Sequence, residues 1–332
     1  MVLKSIVCGM LCALTTASLA DQRNTPADIP DDGVESTRAV VEPLSLEEGD
    51  RIVFLGNAFF ERARYYGQLE TALTLSWPTA NVTFRNIGWS GDTVGGLART
   101  SGRRGAKFGT AEEGFRTLVD HVASLNPTHL FIAYGFNESF GGQAGLVSFE
   151  SELDRLLTTL DEMGIEIILL SPLPVEDGFG ASAAYVDERN DAIDAYANVI
   201  QEQARGRNYR FIDLFSALGE ETKSFSEDGI HPTAEGYARI ADVLLRALDR
   251  PSSSTQIGAD DLERLREEIV KKNALYFHRW RPRNDAFVYG ERKDEQPIAQ
   301  SEPEKIEPFI KQQEAIIWDL LHEIAAKRST ER

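Results

Sequence analysis

Cysteine is almost missing from this chain. Of 332 residues only Cys8 and Cys12 carry a thiol, and both fall within the opening segment. That segment places Lys4 ahead of an uncharged, largely apolar run from Ser5 to Leu19 and ends Ser18-Leu19-Ala20, with small residues where a signal peptidase reads. The expectation is a cleaved secretory signal over residues 1–20, hence a secreted or periplasmic protein; the run is short for about 30 Å of hydrocarbon, which argues against an uncleaved anchor. The mature chain of 312 residues (332 minus 20) would then hold no cysteine, which excludes disulfides, thiol catalysis and cysteine-ligated zinc. Cationic side chains are scarce too: 35 Lys+Arg face 53 Asp+Glu, a formal charge of -18. A general phosphate-binding surface is excluded, so no nucleic-acid partner is expected. No later apolar run is long enough to span a bilayer, and no internal repeat shows at periods of about 20 to 50 residues.

What is present is enough apolar material for a packed core: 42% of residues are hydrophobic and 27% charged. Residues 21–47 are polar and acidic, with Pro26, Pro30 and Pro43, and read as an extended lead-in with little structure. Over 48–250, short β-rich runs alternate with stretches of helical period. The expected strands are 51–55, 81–87, 128–133, 166–170 and 209–213. The expected helices are 59–75, 111–125, 147–163, 186–203 and 234–248. Five strands joined by helices imply a parallel sheet covered on both faces, a three-layer α/β/α sandwich. Ligands of such sheets bind beyond the carboxyl ends of the strands, so chemistry is expected in the loops after Leu55, Ile87, Ala133 and Leu170, and in the loop before the last helix. Beyond Pro251-Ser252-Ser253-Ser254 a C-terminal helical extension, 251–332, carries helical patterns at 260–275 and 308–327 with an irregular link between them.

Four of the expected loops carry polar clusters: Gly56-Asn57-Ala58, Ser90-Gly91-Asp92-Thr93, Gly135-Phe136-Asn137-Glu138 and Asp228-Gly229-Ile230-His231-Pro232. A carboxylate at Asp228 can accept the Nδ1 proton of His231, fixing the tautomer and leaving Nε2 as a general base. Gly91 has no side chain to screen its N–H, and Asn137 offers an amide donor, so the two could stabilise an oxyanion. Each residue alone has a plainer explanation: a turn requiring positive φ for Gly91, a helix cap for Asn137, a chance pair in a surface loop for His231 and Asp228.

The order Gly56-Asn57-Ala58, Gly91, Gly135-x-Asn137 and Asp228-x-x-His231 resembles the SGNH, or GDSL-type, esterase and lipase superfamily over roughly residues 48–250. The resemblance implies a flavodoxin-like sandwich and a hydrolase that cleaves acyl or acetyl esters of lipids, carbohydrates and thioesters with no metal and no cofactor. It implies Gly91 and Asn137 as oxyanion donors, joined by the Ala58 backbone N–H, and Asp228 and His231 as the acid and base of the last block. Asn57, Ser90, Asp92 and Gly135 would line the site. One position departs from the family pattern. Where the family has Gly-Asp-Ser, with the serine as nucleophile, this chain has Gly56-Asn57-Ala58, and a methyl group cannot form an acyl-enzyme. Ser90 and Ser139 lie close by in sequence, but in the resemblance they flank oxyanion donors and would have to point the opposite way.

Two functional classes follow. In one, the chain is an ester hydrolase in which water beside His231 replaces the missing hydroxyl. In the other, it is a non-catalytic module that binds an acylated or carbohydrate ligand. A third role, assembly into a larger complex through the tail, has no motif of its own, and the sequence carries no signature of oligomeric state. The run Tyr276-Phe277-His278-Arg279-Trp280-Arg281-Pro282-Arg283-Asn284 reads either as a rim that binds an anionic or sugar ligand or as aromatics that dock the tail on the main domain. His121, His129 and His322 lack partners at ligand spacing, so no metal site is expected.

Overall fold

The computed structural model describes residues 43–100, 110–220, 223–250, 257–281 and 301–330. The expected signal peptide and most of the expected lead-in lie outside them. The strands are β1 (Arg51–Gly56), β2 (Thr83–Asn86), β3 (His129–Ala133), β4 (Glu166–Leu170) and β5 (Arg210–Ile212), paired in parallel in the order β2-β1-β3-β4-β5. That order is flavodoxin-like. The chain leaves β1 toward one side of the sheet, then crosses to the other at β3, so the crevice between the carboxyl ends of β1 and β3 is the topological switch point.

Side chains alternate across the sheet with period two. Ile52 and Phe54 of β1, Phe131 of β3 and Ile168 and Leu170 of β4 enter one core with α1 (Ala58–Tyr66), α2 (Gln68–Ser76), α6 (Leu214–Gly219) and α7 (Ala234–Ala247). Val53, Leu55, Leu130, Ile132, Ile167 and Leu169 enter the opposite core with α3 (Ala111–Leu125), α4 (Gly142–Asp161) and α5 (Ala183–Arg207). These are the three layers expected from the sequence. The caps that start the helices are local: Thr110 and Glu113 form a reciprocal capping box for α3, and Ser182 and Thr233 cap α5 and α7.

Several boundaries differ from the sequence expectation, each for a physical reason. The single helix expected over 59–75 is two, α1 and α2, because Gly67 adopts φ +70 and its N–H closes on the Ala63 carbonyl. Leu44 and Leu46, in the segment read as a lead-in with little structure, are buried in the first core, and Arg250 donates to the Leu44 carbonyl at 3.2 Å. Their two-residue spacing puts both side chains on one face of an extended segment.

The C-terminal helices are α8 (Ala259–Trp280) and α9 (Glu307–Thr330). They pack on each other through Leu265, Ile269, Ile317, Leu321 and Ile324, with Leu75 of α2. Tyr276 to Trp280, expected in an irregular link, are the last turn of α8: Leu265, Ile269, Lys272 and Tyr276 are buried at helical spacing and carry the stripe through. Pro282, Arg283 and Asn284 lie outside the described residues. A buried ion pair joins Lys272 of α8 to Glu70 of α2 at 2.7 Å, and a second joins Arg85 of β2 to Glu314 of α9 at 2.5 Å.

Candidate active site

A cavity of about 320 Å³ opens at the carboxyl ends of β1, β3 and β4. Its wall takes residues from every loop singled out by sequence: Asn57, Ala58, Ser90, Gly91, Asn137 and His231 all line it. Ala58 is the first residue of α1, directly after Asn57, whose side chain accepts from the Phe59 N–H at 3.1 Å and so caps the helix. The Ala58 N–H is one of the free donors of a helix N-terminus, where the helix dipole also favours negative charge.

Gly91 belongs to a tight turn. Asp92 N–H donates to the Trp89 carbonyl at 2.9 Å and Gly91 has φ +80, the third-position geometry of a type II turn, which glycine adopts without strain. Nothing stands within 4 Å of where a Gly91 Cβ would be, so the conformation, not crowding, calls for glycine. Asn137 donates one amide hydrogen to the Asp92 carbonyl at 2.7 Å, which leaves its second amide hydrogen for the cavity it lines. Among the described residues, the N–H groups of Ala58 and Gly91 have no acceptor within the protein.

His231 is held by its own loop. Its Nδ1–H donates to Asp228 Oδ2 at 2.6 Å, and the other carboxylate oxygen accepts the His231 and Ile230 N–H groups at 2.8 and 3.0 Å. Burial pushes the Asp228 carboxyl up, but hydrogen bonds from the His231 imidazole and from these two backbone N–H groups outweigh it and hold the carboxyl at about 2. An ionised partner on Nδ1 leaves Nε2 as the basic nitrogen. The loop is tied from behind by Glu176, which accepts the Phe225 and Ser226 N–H groups at 2.9 and 2.8 Å and gives its own N–H to the Gly229 carbonyl.

Two residues expected to line the cavity stand behind its wall. Asp92 is fully buried and turns its carboxylate inward, accepting from Arg99 Nε and the Tyr134 hydroxyl at 2.8 Å each and from the Ala98 N–H at 3.2 Å. Burial would lower the Arg99 guanidinium, but Asp92 outweighs it; burial followed by the Asp92 charge pushes the Tyr134 phenol well above its ordinary range. Gly135 serves as a joint: its N–H donates to Glu138 Oε2 at 2.9 Å, while Glu138 Oε1 accepts the Val94 N–H at 2.8 Å. Glu138 thereby links the loop after Gly91 to the loop of Asn137. Burial pushes its carboxyl up to about 7, against the lowering effect of these N–H groups. Ser139 does not line the cavity; it is buried, donates to the Phe136 carbonyl and accepts from Arg189.

Sequence reasoning placed no residue in the loop after β4, yet Ser171 lines the cavity there beside Pro172 and Leu173. The Ser171 hydroxyl donates to Asp213 at 3.2 Å and accepts the Phe215 N–H at 2.8 Å. The strand-end rule pointed to that loop; a serine followed by proline was the available signal. Phe59, Phe136, Leu173 and Ile230 make most of the remaining wall apolar. Among the described residues, no group of three or more His, Cys, Asp or Glu side chains is placed to hold a metal ion, and no helix is long and apolar enough to cross a membrane.

The sandwich, its strand order and a cavity built from these loops define a flavodoxin-like α/β fold with a ligand site at its topological switch point. The chain belongs to the GDSL-like lipase/acylhydrolase family, whose sequence pattern it matches over residues 49–239, and with it to the SGNH hydrolase superfamily. Among solved structures, it is similar to a catalytic mutant of the acetylxylan esterase Axe2 from Geobacillus stearothermophilus, at 20% identity and a TM-score of 0.49, covering 62% of this chain and 96% of that one. It is also similar to the acetyl xylan esterase AlAXEase, at 17% identity and a TM-score of 0.44, covering 59% of this chain and 98% of that one. No curated protein matches the chain in sequence.

Proposed function

We propose that the chain is an exported hydrolase of acyl or acetyl esters, those of carbohydrates included, in which a water molecule takes the place of the missing serine hydroxyl. The observation that carries this reading is the His231–Asp228 pair, at 2.6 Å, on the cavity that Ala58, Gly91 and Asn137 also line. The basic Nε2 of His231 takes a proton from water as the water oxygen bonds to the ester carbonyl carbon. The carbonyl oxygen becomes an oxyanion facing the N–H groups of Ala58 and Gly91 and the Asn137 amide. Collapse breaks the bond to the alkoxy oxygen, the imidazolium returns its proton to the leaving alcohol, and a carboxylic acid remains. General-base catalysis of this kind contributes about 10²- to 10⁴-fold. Hydrolases stripped of a triad member retain about 10³- to 10⁴-fold over water from the oxyanion hole and binding. Export rests on the charge and apolar pattern of residues 1–20.

Ala58 itself favours a second reading, in which the cavity binds an acylated or carbohydrate ligand without turning it over. A chromogenic acetyl-ester assay on the native chain, His231→Ala and Ala58→Ser separates the two. Hydrolysis by the native chain that is lost in His231→Ala supports the first. Equal background rates in those two chains leave only the binding reading, and a large gain in Ala58→Ser shows a competent site lacking its attacking group.

A further inference from the structure

Building on the reading of the cavity as an acyl site, we infer that the end of α8 is a working part of it: Trp280, its last residue, and Arg281, which follows, position the Trp89–Asp92 turn and so the Gly91 N–H. The match to the hydrolase family ends at residue 239, and α8 begins at Ala259, so this support comes from outside the matched domain.

The turn is exposed at its tip. Gly91 is exposed and a Cβ added there would meet nothing within 4 Å, so its position follows from how the flanking residues are anchored. Trp89 N–H donates to the Gly56 carbonyl at 2.9 Å, which ties the turn to the end of β1. Ser90 N–H donates to Glu61 Oε2 at 2.6 Å, and Arg281 Nη1 donates to the same oxygen at 2.7 Å. The Arg281 guanidinium lies 4.0 Å over the Trp89 ring, and Trp280 meets that ring edge-on at 5.6 Å. One arginine therefore holds the turn twice, through the carboxylate that binds its backbone and through the indole that precedes it. Such a charge-assisted hydrogen bond fixes direction as well as distance, and a guanidinium can stack and donate in one geometry where an ammonium cannot. Without Arg281, Glu61 keeps only the Ser90 N–H and is free to rotate toward solvent, releasing the residue next to Gly91.

Backbone hydrogen exchange on the full chain tests this without relying on turnover. In Arg281→Ala the Ser90 and Asp92 amides are expected to exchange about tenfold faster, with protection in β1 and the middle of α8 unchanged. Arg281→Lys, which keeps the charge but not the stack, should recover part of it. Glu61→Gln, which leaves α8 intact, should reproduce the effect if Arg281→Ala folds poorly. In an Ala58→Ser background, loss of a donor that acts in the transition state should lower kcat at least tenfold with KM within about twofold. Unchanged exchange at Ser90 and Asp92, or faster exchange spread evenly over the whole chain, overturns the inference. If Ala58→Ser hydrolyses no ester, the acyl-site reading fails on its own and the exchange data still decide the positioning role.

Discussion

The buried pair between Glu70 and Lys272 gives the sharpest test of how the tail is held. Lys272 is 1% exposed and Glu70 5% exposed. The ammonium sits 2.7 Å from one carboxylate oxygen and donates to the other at 2.9 Å, and Asn273 donates to the latter at 3.0 Å. Burial pushes the Glu70 carboxyl up and the Lys272 ammonium down, each opposed by the other's charge. Removing one partner strands a charge in the interior, which costs about 3–5 kcal/mol, whereas replacing both with apolar groups of similar volume is neutral or stabilising by about 1–4 kcal/mol. Lys272→Met alone should thus lose about 3–5 kcal/mol, and Glu70→Leu with Lys272→Met should recover nearly all of it. At about 2 °C per kcal/mol for a chain of this size, the single variant melts roughly 6–10 °C lower. The penalty also depends on pH in a fixed direction. With its counter-charge gone, the folded Glu70 holds its proton where the unfolded carboxyl has lost it, so the folded state binds more protons and stability falls as pH rises. Melts of the native, two single and double variants at pH 5 and 8 measure both effects. A double variant as unstable as the sum of the singles refutes the coupling.

Further outcomes are expected at the site. Asp228→Asn in an Ala58→Ser background should lower ester turnover by about 10³- to 10⁴-fold, because the imidazole loses the partner that sets its tautomer. Since Asp228 is held at about 2, its carboxylate should stay ionised throughout the range above about pH 4; a titration step of the Asp228 carboxyl carbon between about pH 4 and 8 in NMR contradicts the geometry. Glu138 is pushed up to about 7 from 4.5, so the native chain should lose stability as pH rises from 5 to 8, by about 3 kcal/mol at most, and Glu138→Gln should flatten that slope in urea melts. Gly88→Ala would put a Cβ 2.5 Å from the Glu61 nitrogen; it should cost about 1–3 kcal/mol and loosen the turn at Gly91, seen as faster exchange of its amides.

The sheet was legible because its signals are local. Ile52, Val53, Phe54 and Leu55 announce a strand buried on both faces, and the helices between strands leave only parallel pairing. The loops of Ala58, Gly91, Asn137 and His231 were legible from the strand-end rule, and the structure brings all four to one cavity. The inward turn of Asp92 was not, because it depends on Tyr134, which is distant in sequence and becomes its neighbour only when β3 aligns with β1. Ser171 was missed for a similar reason, since a lone serine has no spacing to mark it. The break at Gly67 comes partly from α8: a Cβ there would meet Val270 at 3.1 Å, and Arg266 donates to the Tyr66 carbonyl at 2.9 Å. Residues 200 positions apart set that boundary, which a local period cannot show.

Strand β2 lies at the border of the sheet, where the N–H groups of Thr83 and Ile87 face β1 and the groups of Phe84 face away. The Phe84 carbonyl does not meet another strand: Lys272 donates to it at 3.2 Å and Arg85 at 2.9 Å, and α8 packs against β2. The opposite border, β5, is three residues long. A shortened chain ending near Arg250 would uncover that hydrogen-bonding rim and offer it to a second molecule, so preparations of the isolated sandwich should self-associate through sheet extension more than the full-length chain.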